Sequence, residues 1–176
     1  MMSAPCTQLW TIGHSTRSLE EFISLLHANK IQAVADVRRF PASRRHPHFN
    51  EKPLSESLNR AGLDYFHFSA LGGRRAPRPD SPNTIWHNPQ FRGYADYMIT
   101  GDFLVGIKRP LLLAEAKRTA IMCAEAVWRR CHRSLIADHL KAAGNIVLHI
   151  LGEAKIEEHP FIAPARAEAH QLGLTS

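Results

Sequence analysis

Two short segments of the sequence contain residue types that can do chemistry. Residues 123–125 read Cys-Ala-Glu, and residues 131–133 read Cys-His-Arg. A thiol becomes a nucleophile when helix amides or nearby cations lower its pKa, while a carboxylate or an imidazole can move a proton. We therefore predict a polar site around these segments, with Cys123, Glu125 and His132 as candidate catalytic residues and Cys131 as a candidate substrate-binding residue.

Arg133 is a candidate anion-binding residue because of its predicted position. An apolar stripe over residues 135–143 predicts a helix that begins close to Arg133. The helix dipole disfavours a cation at a helix N-terminus, so Arg133 is expected to have an anionic partner. That partner is either a bound phosphate or a carboxylate of the chain itself, Asp36 or Glu125.

Other interpretations of the cysteines remain open. A cysteine at the position of Cys123 also suits a small, buried residue at the end of a strand. Cys123 and Arg129 match the spacing of cysteine-dependent phosphatases, but no glycine lies between them to let backbone amides surround a phosphate. We reject that interpretation. The paired C-x2-C spacing of zinc sites is also missing, so we assign no metal and leave the cofactor open.

Strands alternate with helices along the chain. Short apolar runs predict strands over residues 8–13, 33–37, 65–68, 119–123 and 146–150. This alternation predicts an α/β fold, a three-layer α/β/α Rossmann-like domain with a mostly parallel sheet of about five strands. We assign residues 8–150 to this single domain, and residues 151–176 to a loosely packed C-terminal extension.

Further polar residues follow the predicted strands. In such sheets, ligands bind beyond the carboxyl ends of the strands, so residues that are distant in sequence are expected to meet there. Asp36 is the only charge in a strand that is otherwise apolar, and it is a further catalytic candidate. The remaining substrate-binding candidates are His14, Ser15, Arg38, Ser43, Gly72 and Gly73.

Composition restricts the class of protein. The 176 residues carry a formal net charge of +6 and contain three cysteines. An odd, small number of cysteines does not predict a disulfide framework, so we expect a reducing, cytoplasmic location. No apolar run is long enough for a membrane span, and the first residues do not resemble a secretory signal.

The motifs together resemble a known family. In their types and their order, they are similar to the motifs of Domain of Unknown Function family 488 of bacteria and archaea. The motifs are Thr-Ile-Gly-His-Ser at residues 11–15, Asp-Val-Arg-x-x-Pro-x-Ser at 36–43, Leu-Gly-Gly at 71–73, Cys-Ala-Glu and Cys-His-Arg. The resemblance runs from about residue 9 to 150 and implies a three-layer α/β domain, with no particular reaction. Residues 127–130 are more apolar and basic than the resemblance leads us to expect. The matching residues are His14, Ser15, Asp36, Arg38, Pro41, Ser43, Gly72, Gly73, Cys123, Glu125, Cys131, His132 and Arg133.

Three functions compete at this point. The first is an enzyme, a hydrolase or a transferase, that acts on a nucleotide or another phosphorylated small molecule at the strand ends. The second is a nucleic-acid-binding module that uses the basic loops 38–48 and 74–78. The third is a metal-binding or structural adaptor. The sequence leaves the oligomeric state open.

Overall fold

A six-stranded sheet forms the centre of the computed structural model, which describes residues 6–160. The strand order is β3-β2-β4-β1-β5-β6, and the first five strands of this order are parallel, while β6 is antiparallel to β5. The strands are β1 (Gln8–Gly13), β2 (Ala33–Asp36), β3 (Asp64–His67), β4 (Thr119–Cys123), β5 (Ile146–Gly152) and β6 (Lys155–Glu158).

The central strands are buried on both faces, as their continuous apolar runs require. Every residue of β4 is buried, and so is β1 from its second residue onward. Successive side chains point to opposite faces of the sheet. Accordingly, Leu9 and Ile121 belong to one cluster of buried residues, whereas Trp10 and Met122 belong to another.

Five α-helices contribute to these two clusters. They are α1 (Leu19–Ala28), α2 (Glu51–Arg60), α3 (Pro89–Met98), α4 (Gly101–Ala116) and α5 (Arg133–Ala142). Helix α1 begins as the sequence predicts, because the Ser18 side chain accepts a hydrogen bond from the Glu21 amide at 3.0 Å. Within residues 6–160, no helix combines the length and the apolar character that crossing a membrane would need.

The prediction of an α/β fold with a mostly parallel sheet is confirmed, but the sheet has six strands instead of about five. The additional strand, β6, lies in the segment that we assigned to the C-terminal extension. Its sequence, Lys-Ile-Glu-Glu, is mostly polar, which suits a strand at the edge of the sheet that faces water. His159, the residue after β6, is completely buried. For residues 161–176, which are outside the described part of the chain, a loosely packed extension stays a prediction.

The loop that follows β4 lies directly against the end of β1. Beyond the last residue pair of the two strands, the His14 amide donates to the Cys123 carbonyl at 3.0 Å, and the Ser15 amide donates to the Ala124 carbonyl at 2.8 Å. A Cβ atom at Gly13 would lie 1.9 Å from the Glu125 carbonyl oxygen. Glycine is therefore required at position 13 for this close approach.

We expect Gly13→Ala to lower the free energy of unfolding by about 1–3 kcal/mol, because overpacking of this order forces the backbone apart. Gly101→Ala is the matched control, since a Cβ atom there meets no atom within 4 Å. Urea unfolding followed by circular dichroism measures both variants. Equal stability of the two alanine variants would contradict the close packing at Gly13.

Candidate active site

A cavity of about 600 Å³ lies beyond the carboxyl ends of the parallel strands. Nine of the twelve predicted site residues line it, and only Asp36, Gly72 and Arg133 do not. The cavity therefore joins segments that are far apart in the sequence. The nine are His14, Ser15, Arg38, Ser43, Gly73, Cys123, Glu125, Cys131 and His132.

The two cysteines and His132 lie close together in the wall of the cavity. The Nδ1 atom of His132 lies 3.7 Å from the Cys131 sulfur and 4.0 Å from the Cys123 sulfur. The other ring nitrogen, Nε2, lies 3.1 Å from the Val37 carbonyl, which can only accept a hydrogen bond. The proton of the neutral ring is therefore assigned to Nε2, and Nδ1 presents its lone pair to the two thiols.

The two thiols differ in their acidity. A hydrogen bond with Cys123 lowers the pKa of Cys131 well below its ordinary value, although burial acts in the opposite direction. The same hydrogen bond raises the pKa of Cys123, and burial raises it further. Cys131 is therefore the thiol of the pair that loses its proton more readily, and Cys123 is the hydrogen-bond donor to its sulfur. Nearby His132 and Arg133 also lower the pKa of Cys131.

Asp36 supports the site from inside the protein. Its carboxylate is completely buried and receives hydrogen bonds from Arg38, from Nε at 2.9 Å and Nη2 at 2.6 Å. The Tyr65 hydroxyl donates to the same carboxylate at 2.6 Å. Asp36 does not line the cavity, and its hydrogen bonds position Arg38, which does.

His14 connects Arg38 to the wall of the cavity. Its Nδ1 donates to the Ser15 carbonyl at 3.0 Å, which leaves Nε2 as the acceptor for Arg38 Nη1 at 3.4 Å. The ring stacks on Phe49 with 4.3 Å between the ring centroids. Burial lowers the pKa of His14 to about 4, so the imidazole is neutral at pH 7. It orients Arg38 and adds no positive charge to the cavity.

Arg133 is almost completely buried and turned away from the cavity. Its guanidinium donates to the Thr11 hydroxyl at 3.2 Å and to the carbonyl oxygens of Glu125 and Ala126. Its partners in the chain are thus a hydroxyl and two backbone carbonyls, and not the carboxylate of Asp36 or Glu125 that the sequence also suggested. The contacts of Arg133 therefore hold the loop between the two cysteines in place.

A buried row of hydrogen bonds continues from Thr11 to α5, and the sequence analysis did not detect it. The Thr11 hydroxyl lies 2.6 Å from His149 Nδ1, and His149 Nε2 lies 2.9 Å from His159 Nδ1. His159 Nε2 then reaches the Asp138 carboxylate at 2.7 Å. Burial holds the pKa of His149 far below its ordinary value. Together with Arg133, this row links the loop between Cys123 and Cys131, the cysteine loop, to the core.

Glu125 lies at the mouth of the cavity and is exposed. Its carboxylate accepts a hydrogen bond from the Val127 amide at 3.1 Å. At this position, it can exchange protons with water and with a ligand. Arg129, in contrast, pairs with Glu157 at 2.5 Å and lies over the Trp128 ring, outside the cavity lining. This geometry supports our rejection of the phosphatase interpretation.

Two adjacent glycines permit close contacts at the cavity. A Cβ atom at Gly72 would lie 2.5 Å from the Cβ atom of Arg39. At Gly73, a Cβ atom would lie 2.9 Å from Nδ1 of His132. Gly72 therefore permits two loops to touch, and Gly73 leaves room for His132 Nδ1.

The sequence analysis did not include several residues that line the cavity. Tyr94, for example, donates to the Leu71 carbonyl at 2.7 Å and packs 5.0 Å from the His132 ring. The length of the irregular loop over residues 72–88 was the available signal, since such loops are usually functional. Phe91 and Arg130 are two others, whereas Arg39, His46 and Arg74 belong to the basic loops 38–48 and 74–78.

We expect Asp36→Asn to reduce the free energy of unfolding by about 3–5 kcal/mol, because it leaves the Arg38 charge buried without its partner. Asp80→Asn is the matched control. Asp80 also pairs with an arginine, Arg78, but both side chains are exposed, and exposed pairs contribute little. Denaturant unfolding compares the two variants, and similar losses in both would contradict the structural role of Asp36.

A comparison with known proteins assigns most of the chain to a family. The profile described as Domain of unknown function DUF488 matches residues 18–140, which include both cysteine segments and the 36–43 motif. No curated protein and no solved structure matches the sequence. Since the matched residues cover well over half of the chain, it belongs to the Domain of unknown function DUF488 family, as the resemblance of its motifs predicts.

Proposed function

We propose that this protein is an enzyme that acts on a nucleotide or another phosphorylated small molecule, with its reaction at the paired sulfurs of Cys123 and Cys131. The contact of His132 Nδ1 with both sulfurs, inside a cavity lined by arginines, is the observation that carries the proposal. A thiol, a base and a group that orients the base are the elements of an activated nucleophile.

The charge of the cavity favours an anionic ligand. Of the described residues that line it, four are arginines and one, Glu125, is a carboxylate. Arg38 is neutralised by Asp36, but Arg39, Arg74 and Arg130 are exposed. A volume of about 600 Å³ also falls within the range of about 300–1,000 Å³ that small-molecule sites occupy. The arginines would bind the phosphate, while the reacting part of the ligand extends towards the sulfurs.

The proposed reaction begins with transfer of the Cys131 proton to His132 Nδ1. The Cys131 sulfur then forms a bond to an electrophilic carbon of the ligand while the bond from that carbon to its leaving group breaks. The leaving group takes the proton from His132. Water, in a hydrolase, or a second nucleophile, in a transferase, displaces the sulfur and restores the thiol. The phosphate anchors the ligand and is not the reacting group.

The other predicted residues have supporting roles in this proposal. Glu125 exchanges protons at the cavity mouth, and Ser15, Ser43 and Gly73 contact the ligand. Arg133 acts through the loop that it holds. The Rossmann-like, three-layer arrangement belongs to the same proposal, and the two buried clusters support it. A reducing, cytoplasmic compartment suits a reaction that needs free thiols.

The nucleic-acid hypothesis has less support from the basic loop 74–78. Arg75 lies 3.7 Å from the Tyr97 ring centroid and donates to the carbonyls of Gly72 and Ala70. Arg78 pairs with Asp80. Both arginines therefore bind groups of the chain itself, and Arg74 faces the small-molecule cavity instead.

For ligand binding, we expect Arg74→Gln to raise the dissociation constant by about ten-fold or more, since a hydrogen bond to a charged group contributes about 1.5–3 kcal/mol. Isothermal titration calorimetry with pyrophosphate, nucleoside phosphates and sugar phosphates provides the measurement. Arg60→Gln, at an exposed arginine outside the cavity, is the matched control. Blank titrations with the whole panel, or strongly salt-dependent binding of RNA instead, would overturn the proposal.

For turnover, we expect Cys131→Ser to reduce the rate by at least about 100-fold, because a hydroxyl in place of the thiolate is a poor nucleophile. Ligand affinity changes little, since the arginines remain. Each ligand that binds is incubated with the protein in a buffer that contains a chelator and a phosphine reductant, and mass spectrometry detects the products. Cys6→Ser, at an exposed cysteine, keeps full activity. Full turnover by the Cys131 variant would exclude the sulfur mechanism.

A further inference from the structure

The three donor atoms at the floor of the cavity have the chemistry of a soft metal site. The sulfurs of Cys123 and Cys131 and a ring nitrogen of His132 all lie within 4.8 Å of one another. Thiolate and imidazole ligands select zinc and copper, whereas magnesium and calcium prefer oxygen. The sequence spacing did not indicate this set, because the sulfurs meet across a loop and not within a C-x2-C turn.

The distances are close to those that a zinc ion needs. In a tetrahedral site with Zn–S bonds of about 2.3 Å and Zn–N bonds of about 2.0 Å, sulfur and nitrogen lie about 3.6 Å apart. The two sulfur–nitrogen distances in this cavity are 3.7 and 4.0 Å. Both sulfur–nitrogen distances therefore exceed the tetrahedral separation by less than about half an ångström.

Groups around the three ligands already orient them. A metal-binding histidine usually donates its other ring N–H to a carboxylate or a carbonyl, and His132 Nε2 has this contact with Val37 at 3.1 Å. The Arg133 amide also donates to the Cys131 sulfur at 3.5 Å. The lone pair of His132 Nδ1 is thus directed towards the sulfurs before any ion arrives.

The surroundings leave a fourth coordination position on the cavity side. All three ligand residues line the cavity, and Gly73 has no side chain to crowd Nδ1. Two thiolates would neutralise the charge of a divalent ion, which reduces the cost of burying it. Three protein ligands and one open position are typical of catalytic zinc sites, while structural sites are closed by four.

We propose that Cys123, Cys131 and His132 bind one Zn²⁺ ion, with its fourth position open to the cavity. The bound ion occupies the lone pairs of both sulfurs and of Nδ1. It therefore excludes the thiol reaction, so that zinc is a reversible inhibitor of the enzyme. This inhibition rests on the proposed function, whereas the binding of zinc does not.

Spectroscopy with cobalt tests the ligand set. The full chain, treated with a chelator and kept in a phosphine reductant, is titrated with Co²⁺ and then with Zn²⁺. We expect one equivalent of Co²⁺ to produce thiolate-to-cobalt charge-transfer absorption, which one equivalent of Zn²⁺ removes. Cys123→Ser, Cys131→Ser and His132→Gln each weaken Zn²⁺ binding at least ten-fold, a loss that changes around metal ligands already cause. Cys6→Ser leaves the affinity unchanged.

Alkylation of the unmodified chain gives a readout that does not depend on the folding of variants. We expect Zn²⁺ to slow the reaction of iodoacetamide with Cys123 and Cys131 at least ten-fold, while Cys6 in the same molecule reacts as before. Mg²⁺ protects none of the three. Absence of both charge-transfer absorption and protection would overturn the zinc site. Because turnover is measured in a chelator, failure of the zinc site is distinguishable from failure of the proposed enzyme.

Discussion

The site depends on the close contact between the cysteine loop and the end of β1. Gly13 allows the Glu125 carbonyl to approach, and the amides that follow Gly13 continue the pairing of β1 with β4 into the loop. Arg133 then holds the loop carbonyls from behind. Through these contacts the chain folds back so that Cys131 lies beside Cys123.

The arginines around the site divide into two groups with different roles. Arg38 and Arg133 are buried; the Asp36 carboxylate neutralises Arg38, and Arg133 donates to the Thr11 hydroxyl and to two backbone carbonyls. Because burial of an unpaired charge is expensive, these residues serve the structure first. Arg39, Arg74 and Arg130 remain exposed at the cavity, and they provide the positive charge that favours a phosphorylated ligand. The net charge of the chain does not distinguish these groups, but their burial does.

The same three atoms support both the thiol reaction and the zinc site. A nucleophile needs a sulfur lone pair and a base within reach, and a soft cation needs the same lone pairs. The proposed enzyme is therefore active only when its sulfurs are not coordinated. In this scheme, the Val37 carbonyl has one role in both states, because it holds the His132 ring with Nδ1 towards the sulfurs.

The sequence by itself determined the α/β class, the five parallel strands and nine residues of the cavity lining, because apolar periodicity and strand ends are local signals. It did not reveal β6, whose polar residues resemble a loop, nor which arginines of the basic loops line the cavity. The roles of Asp36 and Arg133 also required the tertiary structure. In the sequence, a charged residue near the end of a strand or helix has the same pattern whether it binds a ligand or a buried group of the protein. Only the folded chain shows which group it contacts. The proximity of Cys123 and Cys131 also depends on the tertiary structure. The loop between them folds back through contacts with β1 and α5, and the spacing of the two cysteines in the sequence does not indicate these contacts.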